Sequence, residues 1–344
     1  MAIIDKPSDY FNTKLYTGTG SELAITGVGF QSDMTWIKGR SGATEHVLTD
    51  SVRGVTKEIS SNDTGAEETV AQGLTAFGSD GFTVGTDGSY NTSSATYASW
   101  NFKAGGTAVS NTDGSITSSV SANTTSGFSI VSFTGTGSNA TIGHGLGLAP
   151  AFIVTKSRTD ALSWRIYHQS LGNATSFDLD QSLASFAAAT SWNSTTPTSS
   201  VFSVGSAAST NRSSNNFIAY CFADVQGYSK FGSYTGNGST DGTFVYTGFK
   251  PAFVMLKKTS GTGNWQMFDD KRVGYNPDND VLRANLSNTE CTSCVKIDTL
   301  SNGFKLRNTD GDGNTSGGTY IYMSFASEPF TTSTTNGSIP ATAR

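Results

Sequence analysis

Tyr16-Thr17-Gly18-Thr19-Gly20, Phe133-Thr134-Gly135-Thr136-Gly137 and Tyr234-Thr235-Gly236-Asn237-Gly238 are three occurrences of one aromatic-Thr-Gly-x-Gly element. Two glycines one residue apart after an aromatic-Thr pair read as a tight turn between strands, because positive φ costs glycine little. The same landmarks follow each occurrence in the same order. A Gly leads into an apolar run with a basic ending: Met34-Thr35-Trp36-Ile37-Lys38, Phe152-Ile153-Val154-Thr155-Lys156 and Phe253-Val254-Met255-Leu256-Lys257. An alternating segment comes next, Trp164-Arg165-Ile166-Tyr167-His168 and Trp265-Gln266-Met267-Phe268-Asp269, with only the weaker His46-Val47-Leu48 in the first stretch. Phe82, Phe202 and Phe304 mark a later strand, and each stretch closes on spaced aromatics: Tyr97, Trp100, Phe102; Phe217, Tyr220, Phe222; Tyr320, Tyr322, Phe325. The spacing of the starts is that of domains, not of a solenoid.

Short β-branched and aromatic runs bounded by Gly, Asn, Asp and Ser clusters predict strands, about seven in each stretch by this reading. The fold class expected is all-β: three tandem β-sandwich, jelly-roll-like modules related by internal repetition. The boundaries read as a docking arm at 1–12, modules at 13–104, 128–225 and 226–330, a Ser/Thr/Gly-rich connector at 105–127 and a polar tail at 331–344. Tandem modules of this kind would extend the chain away from an anchor. Thr64-Gly65-Ala66-Glu67 has the form of a capping box, and 183–189 is a good helix former, so at most a turn or two of helix is expected there.

Composition narrows the function. The chain has 344 residues, 39 of them Gly, with 14% charged residues and a formal net charge of −5. Average proteins carry ~25% charge, so long solvated helices are not expected. Scattered charges of both signs exclude a basic nucleic-acid footprint, and the lack of an apolar run near ~18 residues argues against membrane insertion. Asp5, Lys6 and Asp9 stand where a signal peptide would be apolar, which favours assembly in a cytoplasm.

The candidate sites are few, and none is catalytic. Cys291-x-x-Cys294 has no second soft-ligand pair, so two reduced thiols in a turn are expected. Asp310, Asp312 and Asn314 form the first half of a calcium-loop pattern, but Ile321 stands where the closing carboxylate belongs; they are weak metal candidates, and no cofactor is expected. His144, flanked by glycines, reads as a turn residue, and Asp269-Asp270 as surface charges. Trp36, Trp100, Trp164 and Trp265 fall on strands and read as core. Trp192, in a loop, is the best single candidate for an interface or ligand aromatic. Loop tips at Asp87, Tyr90, Asn91, Arg212 and Asn215 complete the candidate binding set, because loops on a rigid sandwich commonly carry recognition.

Asp5-Lys6-Pro7-Ser8-Asp9-Tyr10-Phe11-Asn12-Thr13, Trp36-Ile37-Lys38-Gly39-Arg40, Asp50-Ser51-Val52-Arg53-Gly54, Trp100-Asn101-Phe102-Lys103-Ala104-Gly105-Gly106 and His144-Gly145-Leu146-Gly147-Leu148-Ala149-Pro150 resemble virion structural proteins of marine tailed bacteriophages. The resemblance implies a fibre, appendage or capsid-surface component, placed in the virion and partnered by other virion proteins. It implies a homo-oligomer, with a trimer favoured, and contact with a host surface glycan or protein. A tail fibre is the leading expectation, a capsid decoration or head-fibre protein the alternative, and a glycan depolymerase the third. The resemblance transfers no catalytic residue.

Overall fold

A computed structural model describes residues 4–330. The chain is all-β, and its three large sheets share one strand order. In the first, Phe11–Thr17 pairs Thr96–Phe102, which pairs Met34–Gly39, followed by His46–Asp50, Lys57–Ser60 and Glu68–Thr69. In the second, the run Phe128–Thr134, Asn216–Phe222, Phe152–Ser157, Arg165–His168, Thr175–Asp178, Phe186–Ala187 repeats that order. Ser229–Thr235, Thr319–Pro329, Phe249–Lys258, Gln266–Asp269 and Leu282–Arg283 repeat it again. All pairings in these sheets are antiparallel. A small sheet covers one face of each: Leu23–Thr26 with Gly81–Val84 and Leu74–Gly78; Ala140–Gly143 with Val201–Val204; Phe244–Tyr246 with Gly303–Leu306 and Ile297–Leu300.

The apolar runs of the sequence are continuous because the central strands are buried on both faces. Side chains alternate between the faces of a strand. On Met34–Gly39, Ile37 points into the first sandwich's own core while Trp36 points the other way. Ile153 and Val254 lie in the cores of the second and third sandwiches, and their neighbours Val154 and Met255 face out of them. All the outward sets meet in one further core. Phe222 is its clearest member, with ring centroids 5.7 Å from Phe102, 6.2 Å from Phe152 and 5.8 Å from Phe325. The centre of this shared core leaves a void of about 30 Å³, walled by Trp36, Leu48, Phe152, Trp164, Met255 and Met323, which is too small for an organic ligand.

The three sandwiches therefore form a closed ring, not an extended string, which corrects the expectation of modules reaching away from an anchor. Contacts recur around the ring. Glu67 N–H donates to Arg158 O, Ser185 N–H to Thr259 O and Glu290 N–H to Arg40 O. These link first to second, second to third and third to first. In each junction an indole answers: Trp164 donates to Ser60 O at 2.8 Å, Trp265 to Asp178 O at 3.2 Å and Trp100 to Asp269 Oδ2 at 3.1 Å.

Several sequence expectations need correction. The arm at 1–12 is, from residue 4 onward, part of the body: Ile4 is buried in the shared core and Phe11 stacks on Phe325. Residues 1–3 and the tail at 331–344 lie outside the described residues. The connector at 105–127, whose stretch Ile116 to Val120 predicts a strand or hairpin, does pack along its neighbour: Val109–Asn111 and Ser118–Asn123 form a hairpin that extends the second large sheet. No helix forms at 64–67 or 183–189. A carbonyl from each is used at a junction: Lys156 Nζ donates to Thr64 O, and Lys257 Nζ to Leu183 O as well as to the preceding Ser182 O. The helices seen are single turns at Pro7–Asp9, Gly88–Asn91 and Ala208–Asn211.

Lys38, Lys156 and Lys257 are all buried, and burial pushes each ammonium down to about 8. Between about pH 8 and pH 10 the folded chain gives up these protons while the unfolded chain keeps them, so stability is expected to rise with pH across that window. The Cys221 thiol, raised by burial, opposes the trend as one group against three. Above about pH 10 the buried Tyr16, Tyr220 and Tyr234, also raised by burial, reverse the slope, since only the unfolded chain ionises them. Urea midpoints at pH 7.5, 9.5 and 11 read this directly. A midpoint that falls from pH 7.5 to 9.5 would refute it.

Candidate functional site

The loop tips are built alike in all three sandwiches. Asn91, Asn211 and Asn314 are each fully buried and pin the Gly-x-Gly turn beside them. Each side-chain oxygen accepts from a turn amide, of Thr19, Thr136 and Asn237 at 2.7, 2.8 and 3.0 Å. Each amide nitrogen donates to two carbonyls, of Ser21 and Gly85, Ser138 and Gly205, Ser239 and Asn308. At the turns themselves a Cβ on Gly18, Gly135 or Gly236 would stand 2.2–2.4 Å from a facing carbonyl oxygen, so only glycine fits. Replacing Asn211 with Ala strands one buried donor and two acceptors and is expected to cost about 1–3 kcal/mol, read as a fall in the urea midpoint.

This construction removes most of the expected binding residues from the surface. Tyr90, Asn91 and Asn215 are buried, the last donating to Ser157 Oγ and Asp160 Oδ2. Asp87 is half-buried and caps the single turn Gly88–Asn91 through Ser89 N–H. Arg212 alone is well exposed, and it pairs with Asp160 at 3.0 Å. Trp192 is also buried, packed edge-on against Tyr167 in the second sandwich's core, which corrects its reading as a ligand aromatic. Its loop turns inward through Asn193 and Ser194, both at positive φ.

The metal candidates are each engaged in hydrogen bonds within the fold. Asp310 Oδ1 accepts from Asp312 N–H, Asp312 Oδ2 accepts from Asn264 and Gln266, and the Asn314 amide is the turn pin described above. Among the described residues no group of three or more His, Cys, Asp or Glu side chains could hold a metal ion. His144 is buried with both ring nitrogens engaged, one with Thr198 O at 3.1 Å and one with Leu146 N–H at 3.2 Å. Cys291 and Cys294 are joined in a disulfide, correcting the expectation of reduced thiols.

The charged groups that sequence reasoning missed lie in the junctions. Asp269, expected at the surface, is 2% exposed and pairs with Arg272 at 2.6 Å. Burial alone would raise its carboxyl, but Arg272 and the Trp100 indole hold it below the usual carboxylate range. Arg272 also meets Glu290, which in turn takes a two-pronged contact from Arg40. The first sandwich repeats the device: Asp50 pairs with Arg53, Tyr220 donates to Asp50 at 2.8 Å, and Glu67 joins Arg53 to Arg158. At the third junction the buried contacts are His168 Nε2 at 3.2 Å from Tyr322 O and Ser185 on Thr259, and the ion pair that bridges the two sandwiches, Lys230 with Asp224 at 2.8 Å, is partly exposed rather than buried. The recurring Asp-x-x-Arg at 50–53 and 269–272 was the sequence signal that could have exposed this.

A family model described as a domain of unknown function (DUF7483) matches residues 6–329. The chain belongs to this family. The matched stretch runs through all three sandwiches, so the DUF7483 unit is the whole ring rather than one sandwich. No curated protein matches the chain. No helix of the described residues is long and apolar enough to cross a membrane.

Proposed function

We propose that this DUF7483 chain is a non-enzymatic structural protein of a tailed-phage virion, a tail fibre or tail-associated component that meets the host surface through its loops. The observation that carries the reading is the ring itself: one chain holds three similarly built, rigid, polar loop tips at equivalent places around a shared core. Three weak contacts held rigidly relative to one another gain strength by multivalency. The recurring strand order and junction contacts support descent from one triplicated module. Several buried polar side chains, among them Asp50, Asp269, Asn91, Asn211 and Asn314, are committed to junctions and turns, an arrangement suited to a scaffold. Other virion proteins are the expected partners, with a homotrimer as the assembly to test.

The closed shape favours a second reading, a capsid decoration or head-fibre protein, since a ring is a poor spacer. Position and copy number in intact particles, by particle imaging with mass-calibrated composition, separate the two. A few copies confined to the tail are expected, and many copies over the shell would replace the fibre with a decoration. Release of reducing ends from host polysaccharide by the purified protein would overturn the non-enzymatic reading.

A further inference from the structure

The third sandwich departs from the other two at one place. Ile25, Ile142 and Val245 occupy the same register position, each paired with a buried Phe (Phe82, Phe202, Phe304), and each points into its own core. The flanking positions, on the opposite face of the strand, hold Ala24 and Thr26 in the first sandwich and Thr141 and Gly143 in the second. In the third they hold Phe244 and Tyr246, which are 45% and 60% exposed. The fold does not require aromatic rings there, because the same strand forms twice without them.

Tyr246 stands in the wall of a cleft of about 410 Å³, whose other walls include Asp224, Gln226, Ser229, Lys230 and Thr247. Asp224 is fixed by Phe231 N–H at 2.8 Å and by Lys230 Nζ at 2.8 Å. Its charge is thereby matched within the cleft, which gives neither an anion nor a cation a net attraction. What the walls offer instead is an open aromatic face, an exposed carboxamide at Gln226 and a paired acceptor and donor. That combination suits a ring with C–H groups on one face and hydroxyls around its edge. Phe244 lies two residues along on the same strand face, about 7 Å away, where a second ring would follow.

We propose that this cleft is a binding site for neutral saccharides, with Tyr246 as the stacking platform. The proposal deepens the host-surface reading and rests on it. The test is saturation-transfer NMR of the full chain with neutral trisaccharides of glucose, galactose and N-acetylglucosamine. At least one is expected to receive saturation, with binding weakened tenfold or more in Tyr246→Ala and retained in Tyr246→Trp. Tyr246 is exposed, so its loss leaves the melting temperature unchanged as a folding control. No transfer to any of the three, or transfer unaffected by Tyr246→Ala, overturns the site. A tail-located protein that fails this test loses the cleft and keeps the virion reading; a protein absent from particles that passes it does the reverse.

Discussion

Asp269→Ala is expected to lower the stability of the folded chain by about 3–5 kcal/mol, because it leaves Arg272 buried without its closest partner. Both side chains of the pair are fully buried, and the same carboxylate accepts the Trp100 indole from the first sandwich. The loss falls on a junction, not on the third sandwich alone. The measurement is the urea midpoint. Asp241→Ala serves as the control, since Asp241 is 79% exposed despite contacting Lys305 and Arg307, and it should leave the midpoint in place. The double variant Asp269→Leu with Arg272→Met removes both charges together and should be less destabilised than Asp269→Ala. A single variant as stable as the parent would mean that the pair is solvated and the junction open.

Phe222→Ala is expected to cost a similar ~3–5 kcal/mol, for a different reason. The ring touches aromatic neighbours in all three sandwiches: Phe102, then Phe128 and Phe152, then Phe231 and Phe325. Truncation opens a cavity that no single sheet can close, because its walls belong to three sheets held by separate junctions. The transition should move to lower denaturant as a whole. If only part of the signal moved, the shared core would not be one cooperative body. Phe202, which sits inside the second sandwich, is the comparison: a similar cost there would confine its cavity to one small core.

Much of this fold was legible in the residues. The aromatic-Thr-Gly-x-Gly turns and the apolar runs fell where the turns and strands are, and Trp36, Trp100, Trp164 and Trp265 are core, although Trp164 and Trp265 stand one residue ahead of their strands. The continuous runs such as Phe152-Ile153-Val154 also carried the sign of a sheet buried on both faces. What the second face was buried against could not be read locally, since its partners lie in another stretch of chain. The same limit explains the misplaced acids. Asp269-Asp270 reads as a pair of surface charges until Trp100, 169 residues away, is brought to it; Arg272, three residues on, was the local sign. Residues 183–189 have helical composition, but two of their neighbouring carbonyl groups serve Lys257, and a junction outweighs local propensity. At the candidate site the equivalence of Phe244 and Tyr246 with Ala24 and Thr26 or Thr141 and Gly143 follows only from the strand pairing, and the cleft beside Tyr246 is walled by residues 224–230 from a separate stretch of chain.

The central claim is that three sandwiches fold as one body around a shared core. Differential scanning calorimetry of the full chain tests it most directly. The ring predicts a single transition whose calorimetric enthalpy equals its van't Hoff enthalpy. Two or three resolved transitions, or a calorimetric enthalpy several times the van't Hoff value, would mean that the sandwiches unfold separately and would contradict it.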